Sequence, residues 1–191
     1  MRKPQQTTGY LQGQMLLAMP GMGDQRFART VIYLCAHSEA GAMGIVVNKP
    51  LDTITFPELL DQLNIDRTKA DPDLRVHFGG PVSPAQGFVL HSTDFMREGS
   101  LKVGDEIGLT NTVDVLRAMA LGQGPKRALL ALGYAGWSAG QLDAEIQANG
   151  WLHAPADFDL IFDGAPTEKW VRAVGTLGID LAALSGAAGH A

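Results

Sequence analysis

Gly136-Trp137-Ser138-Ala139-Gly140 matches the Gly-x-Ser-x-Gly pattern, in which a serine on a sharp strand-to-helix turn is exposed for nucleophilic attack. The flanking residues supply the required context. Residues 128–132 form an apolar run that reads as a strand buried on both faces, and Leu142 and Ile146 then recur at helical spacing until Gly150 supplies a stop. A small hydrolase using Ser138 also needs an acid and then a histidine downstream. The sequence offers only His153, directly after the helix, and His190, in a small-residue tail. Neither is well placed, so the pattern stands without its partners. The competing explanation of Gly133, Gly136 and Gly140 is a tight connection with Trp137 plugging the core.

Three other constellations carry possible chemistry. Cys35-Ala36-His37 puts a thiol and an imidazole on one face of a strand, but no second Cys/His pair completes a metal-binding set, so no metal site is assigned. His77, His91 and His153 are scattered among apolar neighbours, and at least two of the three are expected to be hydrogen-bonded near the surface. Asn48-Lys49-Pro50, Gly79-Gly80-Pro81 and the segment 133–140 each lie just past the end of an expected strand. If those ends converge, Asn48, Lys49, the Gly79 and Gly80 amides, Trp137 and Gln141 would line a polar, anion-tolerant pocket with one aromatic wall. The alternative is that these are turn residues, with Lys49 solvated. Asp143 and Glu145 are expected to face solvent on their helix, without an acid/base role. No catalytic residue and no cofactor is assigned.

The elements that must position these groups follow from pattern. With 46% hydrophobic and 18% charged residues, the 191-residue chain can bury one substantial core, and no linker-like run divides it. The expected organisation is a flexible leader over 1–12, one domain over 13–184 and a small-residue tail over 185–191. The net charge of −5 is not gathered into blocks, which disfavours direct nucleic-acid binding. The single cysteine excludes an internal disulfide and fits a reducing cytosol. No apolar run approaches the ~20 residues of a membrane span, and MRKPQQTTGYLQG has no long apolar stretch after its basic residues. A cytoplasmic location without membrane association is the expectation.

Strands are expected at 13–18, 30–36 and 42–47, the last two joined by the five-residue loop HSEAG. Thr55-Phe56-Pro57-Glu58 is a capping box opening a helix whose stripe is Phe56, Leu59, Leu60 and Leu63. After a polar loop over 64–73, runs at 75–78 and 87–91 read as a hairpin-like pair. A strand at 106–109 precedes a helix over 112–121, capped by Asn111. Beyond the central unit, 151–153 and 157–162 read as strands, and Pro166 opens a last helix with Trp170, Val174 and Leu177 on one face. About four helices and grouped strands give α+β with a mixed, largely antiparallel sheet.

Three long blocks, LLAMPGMGDQRFARTVIYLCAHSEAGAMGIVVNKP, VHFGGPVSPAQGFVLHS and LGYAGWSAGQLDAEIQANGWL followed by ADFDLIF, resemble the YqgE/AlgH family of bacterial proteins. The resemblance runs from about Gly13 to near the C-terminus. It implies a single domain with a bifurcated sheet folded toward a pseudo-barrel. It implies no activity, since the family has no agreed biochemical function, and the association of some members with transcriptional regulation defines no DNA-binding mechanism. The expectation is a non-catalytic binding or regulatory protein, acting through a protein partner or a small anionic ligand, with any effect on transcription indirect. The alternatives are the Ser138 hydrolase and a structural interaction module, for instance a homo-oligomer using an apolar patch or a free sheet edge.

Overall fold

A computed structural model describes residues 9–187. Its organising strand is β2 (Val31–Ser38), in which Val31, Tyr33 and Cys35 enter one apolar cluster while Ile32 and Leu34 enter another. A strand buried on both faces needs a continuous apolar run rather than an alternating one, and TVIYLC supplies it. Each fully buried Leu, Ile or Val contributes roughly 1.5–3 kcal/mol relative to exposure. Around β2 lie β1 (Gln14–Ala18), β3 (Gly41–Val46), β4 (Val76–Phe78), β5 (Val82–Ser92), β6 (Leu101–Lys102), β7 (Ile107–Thr110), β8 (Ala128–Ser138) and β9 (Trp151–Pro155). They form one nine-stranded sheet in the order β6-β7-β5-β8-β3-β2-β1-β9, with β4 attached in parallel to β8 and every other pairing antiparallel.

The sheet forks at β8. Its first part pairs with β5, from His91↔Ala128 to Val82↔Tyr134, and its last four residues pair with β3, from Gly44↔Ala135 to Gly41↔Ser138. Gly133 sits at the fork with φ +75°, where a Cβ would lie 2.3 Å from the Gly80 carbonyl oxygen, so both backbone shape and close approach require glycine. Within the fork, the Gly79 carbonyl accepts from Val46 N–H and the Gly79 N–H donates to the Leu132 carbonyl, both at 2.8 Å. The α+β class with a largely antiparallel sheet agrees with the residue pattern, and the fork agrees with the bifurcated sheet that the family resemblance implies.

The helices are α1 (Phe56–Gln62), α2 (Val113–Ala120), α3 (Gln141–Gln147), α4 (Phe158–Phe162), α5 (Pro166–Thr176) and α6 (Leu181–Ala187). The four expected are α1, α2, α3 and α5. The capping box is present, with Thr55 Oγ1 accepting from Glu58 N–H and Glu58 accepting from Thr55 N–H. α1 and α2 cover a cluster containing Phe56, Leu60, Val115 and Leu130, α3 covers one containing Leu16, Ile32, Trp137 and Trp151, and Trp170 and Val174 of α5 join Tyr33, Ile45 and Phe88.

Several local expectations are corrected. The β2–β3 loop is Glu39-Ala40 rather than five residues, because the polar His37 and Ser38 still pair across the ladder. β4 and β5 are not a hairpin; they flank β8 on opposite edges. The 157–162 run is helix α4, capped by Asp157, whose carboxylate accepts from Leu160 N–H at 3.0 Å. Thr112, not Asn111, occupies the α2 cap, and it makes no side-chain bond there. β8 runs through the glycines to Ser138, so only Ala139 and Gly140 form the turn. Residues 1–8 of the expected leader and 188–191 of the expected tail lie outside the described residues. Among the described residues no helix is long and apolar enough to cross a membrane.

Candidate ligand-binding groove

After β8, Gly140 adopts φ +73° and turns the chain into α3, so the first helical residue, Gln141, folds back over the strand end. Gln141 Oε1 accepts from the Ser138 N–H at 3.0 Å and from the Ser138 hydroxyl at 3.1 Å. One turn later on the same helix face stands Glu145, and Gln141 Nε2 donates to its Oε1 at 2.9 Å. The other oxygen, Oε2, accepts two indole N–H groups, Trp137 Nε1 at 2.9 Å and Trp151 Nε1 at 2.8 Å. The two indoles meet edge to face with centroids 5.9 Å apart, and Phe27 meets Trp151 in the same manner at 5.8 Å. A single carboxylate thus fixes two aromatic rings from β8 and β9.

Beside this cluster lies a groove of about 480 Å³, whose lining includes Trp137, Gln141, Glu145, Trp151, Asp24, Arg26 and Phe27. Asp24 caps the 3-10 turn Gln25–Phe27 by accepting from Arg26 N–H, and its carboxylate also pairs with the Arg26 guanidinium at 2.7 Å. The side-chain bond from Arg26 holds the Asp24 carboxyl below its ordinary range. Arg26, the only cation lining the groove among the described residues, is therefore already engaged. Glu145, half-buried, is met by three neutral donors and by no cation at ion-pair distance among the described residues.

Of the six residues expected to share a pocket, Trp137 and Gln141 line this groove, and Asn48, Lys49, Gly79 and Gly80 do not. Asn48 is consumed internally, accepting from Val31 N–H at 2.9 Å and donating to the Arg29 carbonyl at 2.8 Å. The Gly79 amide is bonded within the fork, Gly80 is pressed against the Tyr134 backbone, and Lys49 makes no ion pair among the described residues. Glu145 corrects the expectation of a solvated residue. Its signal was present in part: Gln141 and Glu145 at i,i+4, bracketed by Trp137 and Trp151.

Ser138 closes a paired strand rather than crowning an elbow, and its only side-chain partner among the described residues is Gln141. His153 is exposed on β9 and bonded to Gln14 Oε1 at 3.1 Å. His190 lies outside the described residues, and among the described residues no imidazole meets the serine and nothing activates it. His77 and His91 are buried rather than near the surface. His77 Nδ1 lies 3.2 Å from the Leu130 carbonyl, and burial depresses its pKa to about 4. His91 bridges the Ser92 carbonyl and the Thr110 hydroxyl, which in turn reaches Ser100. Cys35 is buried at the β2 bulge, and burial pushes its thiol pKa up, away from thiolate chemistry. His37 Nδ1 accepts from Leu11 N–H at 3.0 Å, and its Nε2 stands 3.6 Å from Asp143. No cluster of three or more metal-ligating side chains occurs among the described residues. Sequence reasoning missed Lys169 altogether: its buried Nζ donates to the Val47 and Ile161 carbonyls, and burial lowers its pKa to about 8.

A family model described as AlgH-like matches residues 15–182. The chain is 56% identical to a UPF0301 protein of Rhodospirillum rubrum, covering 98% of this chain and 97% of that one. It is likewise 56% identical to a UPF0301 protein of Bradyrhizobium diazoefficiens, over 98% and 92% of the two chains. Among solved structures it resembles the solution structure of the AlgH protein from Pseudomonas aeruginosa, with TM-score 0.78, 42% identity and full coverage of both chains. Protein DIP2367 from Corynebacterium diphtheriae, at 19% identity and TM-score 0.71 over 86% of each chain, shares the fold.

Proposed function

The chain belongs to the AlgH-like family, and on that premise we propose that it is a non-catalytic binding protein whose groove beside Trp137 and Trp151 receives a cationic group. One observation carries this reading: Glu145 is a half-buried carboxylate held rigidly by three neutral N–H donors, with no counter-ion among the described residues. A carboxylate fixed in this manner is preorganised for an incoming ammonium or guanidinium, and the adjoining indoles favour the same charge. The small anion expected from the sequence fits less well, because the groove's arginine is already paired with Asp24. Regulation then operates through a bound partner, with any influence on transcription indirect. The lone buried cysteine fits a reducing, cytoplasmic setting.

The test is isothermal titration with N-acetyl-arginine amide and, in parallel, N-acetyl-glutamate amide. Binding of the arginine compound, lost in Glu145→Gln, supports the proposal. Binding of the glutamate compound alone, or of neither, overturns it.

A further inference from the structure

Resting on that cation-binding reading, the free edge of β8 specifies the partner more closely. We infer that the edge of β8 at Gly136 is a docking edge for an extended peptide that carries a basic side chain toward Glu145 and uncharged side chains on its alternate positions. Three observations support this.

The first is the direction of the backbone. On one side, β8 pairs with β3 from Ala135 to Ser138; on the other, β5 leaves β8 after the pair Val82↔Tyr134. A Cβ on Gly41 would lie 2.4 Å from the Trp137 carbonyl oxygen, so that carbonyl points toward β3, and the Ser138 N–H points away from β3 to Gln141. In a strand, backbone groups two residues apart point the same way. The N–H and C=O of Gly136 therefore face the side that β5 has vacated. Gly136 is exposed, and no strand pairs with it there among the described residues.

The second is the pair of hollows that meet at this edge. The Trp137–Glu145 groove lies on one side of it, and a second cleft of about 570 Å³, which Met43, Phe88 and Tyr134 help to line, shares Val82, Gly136 and Trp137 with it. A strand added at Gly136 sends successive side chains alternately into the two.

The third is charge. Among the described residues, the first groove holds Glu145 without a counter-ion, whereas the second is lined by no charged residue. The matching peptide therefore alternates Lys or Arg with Val, Thr or another uncharged residue.

The experiment uses the full chain and three synthetic peptides of about ten residues: alternating Lys–Val, alternating Arg–Thr, and alternating Glu–Val as control. It follows the Trp137 and Trp151 indole N–H resonances together with hydrogen exchange of the Gly136 amide. We expect at least one basic peptide to shift both indole resonances and to slow Gly136 exchange by about tenfold or more, while the acidic control does neither. Indole shifts with unchanged Gly136 exchange would overturn strand docking and leave the cation groove standing. Failure of both basic peptides, alongside binding of N-acetyl-arginine amide, would have the same meaning. If neither the peptides nor the arginine compound binds, both readings fail. A Gly136 amide that is already slow to exchange in the free protein would also overturn the inference.

Discussion

Trp137 and Trp151 donate their indole N–H groups to the same oxygen of Glu145, at 2.9 and 2.8 Å, so that β8, α3 and β9 are joined at one atom. Both rings are buried, and removing the carboxylate strands two donors. Glu145→Ala should therefore cost roughly 1–3 kcal/mol for each indole left unpaired. Glu145→Gln keeps an acceptor oxygen and should cost clearly less. Urea denaturation of the two variants, read by tryptophan fluorescence, checks the order; equal losses would show that charge, not acceptance, holds the rings.

The fork depends on glycine at Gly133 and not at Gly136. Gly133→Ala forces a side chain into left-handed backbone and against the Gly80 carbonyl, and should destabilise by roughly 2–4 kcal/mol. At Gly136, a Cβ meets nothing closer than Tyr134 Cε2 at 3.3 Å, so Gly136→Ala should change stability by less than about 1 kcal/mol. Thermal melts of both variants make the comparison.

His77 gives the acid limb of stability a defined origin. Burial lowers its pKa from 6.5 to about 4, so across that interval the unfolded chain takes up a proton that the folded chain refuses. The contribution is complete above about pH 6.5 and is lost as pH falls toward 4, at most on the order of 3 kcal/mol. The Lys169 shift, from 10.5 to about 8, acts in the alkaline range: stability gains as pH rises through that interval, because the unfolded lysine stays protonated longer. Denaturation midpoints of the native chain and His77→Gln between pH 4 and 7 should converge toward the acid end.

Ser138 should prove dispensable for chemistry. A fluorophosphonate should leave it unlabelled, and Ser138→Ala should lose only the hydroxyl bond to Gln141, about 1 kcal/mol or less at an exposed position. Labelling confined to Ser138 would restore the hydrolase.

The sequence carried the elements whose signals are local. The Thr55–Glu58 capping box, the apolar run of β2 and the Pro166 helix start are each written within a few residues. What it did not carry depends on partners distant in the chain. Gly133, Gly136 and Gly140 look alike in sequence, yet one makes the fork, one lies on an open edge and one turns the helix, because their neighbours come from residues 79–82 or from none. α4 was misread because Phe158, Leu160 and Phe162 also alternate like a strand, and only the Asp157 cap separates the two readings. In the candidate site, Trp137 and Gln141 were legible as residues beside a turn. Glu145 was not, since its charge suggested solvent and its partners arrive through β9. The pocket expected from Asn48, Lys49, Gly79 and Gly80 assumed that all strand ends gather together; the fork instead uses Gly79 and Gly80 as packing between β3 and β8.

Glu145 has no counter-ion among the described residues and is expected to accept one. The test is titration of the native chain with propylguanidinium and with butyrate, followed at the indole N–H resonances of Trp137 and Trp151. Propylguanidinium should give saturable shifts of both resonances that are absent in Glu145→Gln, and butyrate should give none. Shifts produced by butyrate alone, or guanidinium shifts that persist in Glu145→Gln, would contradict that expectation.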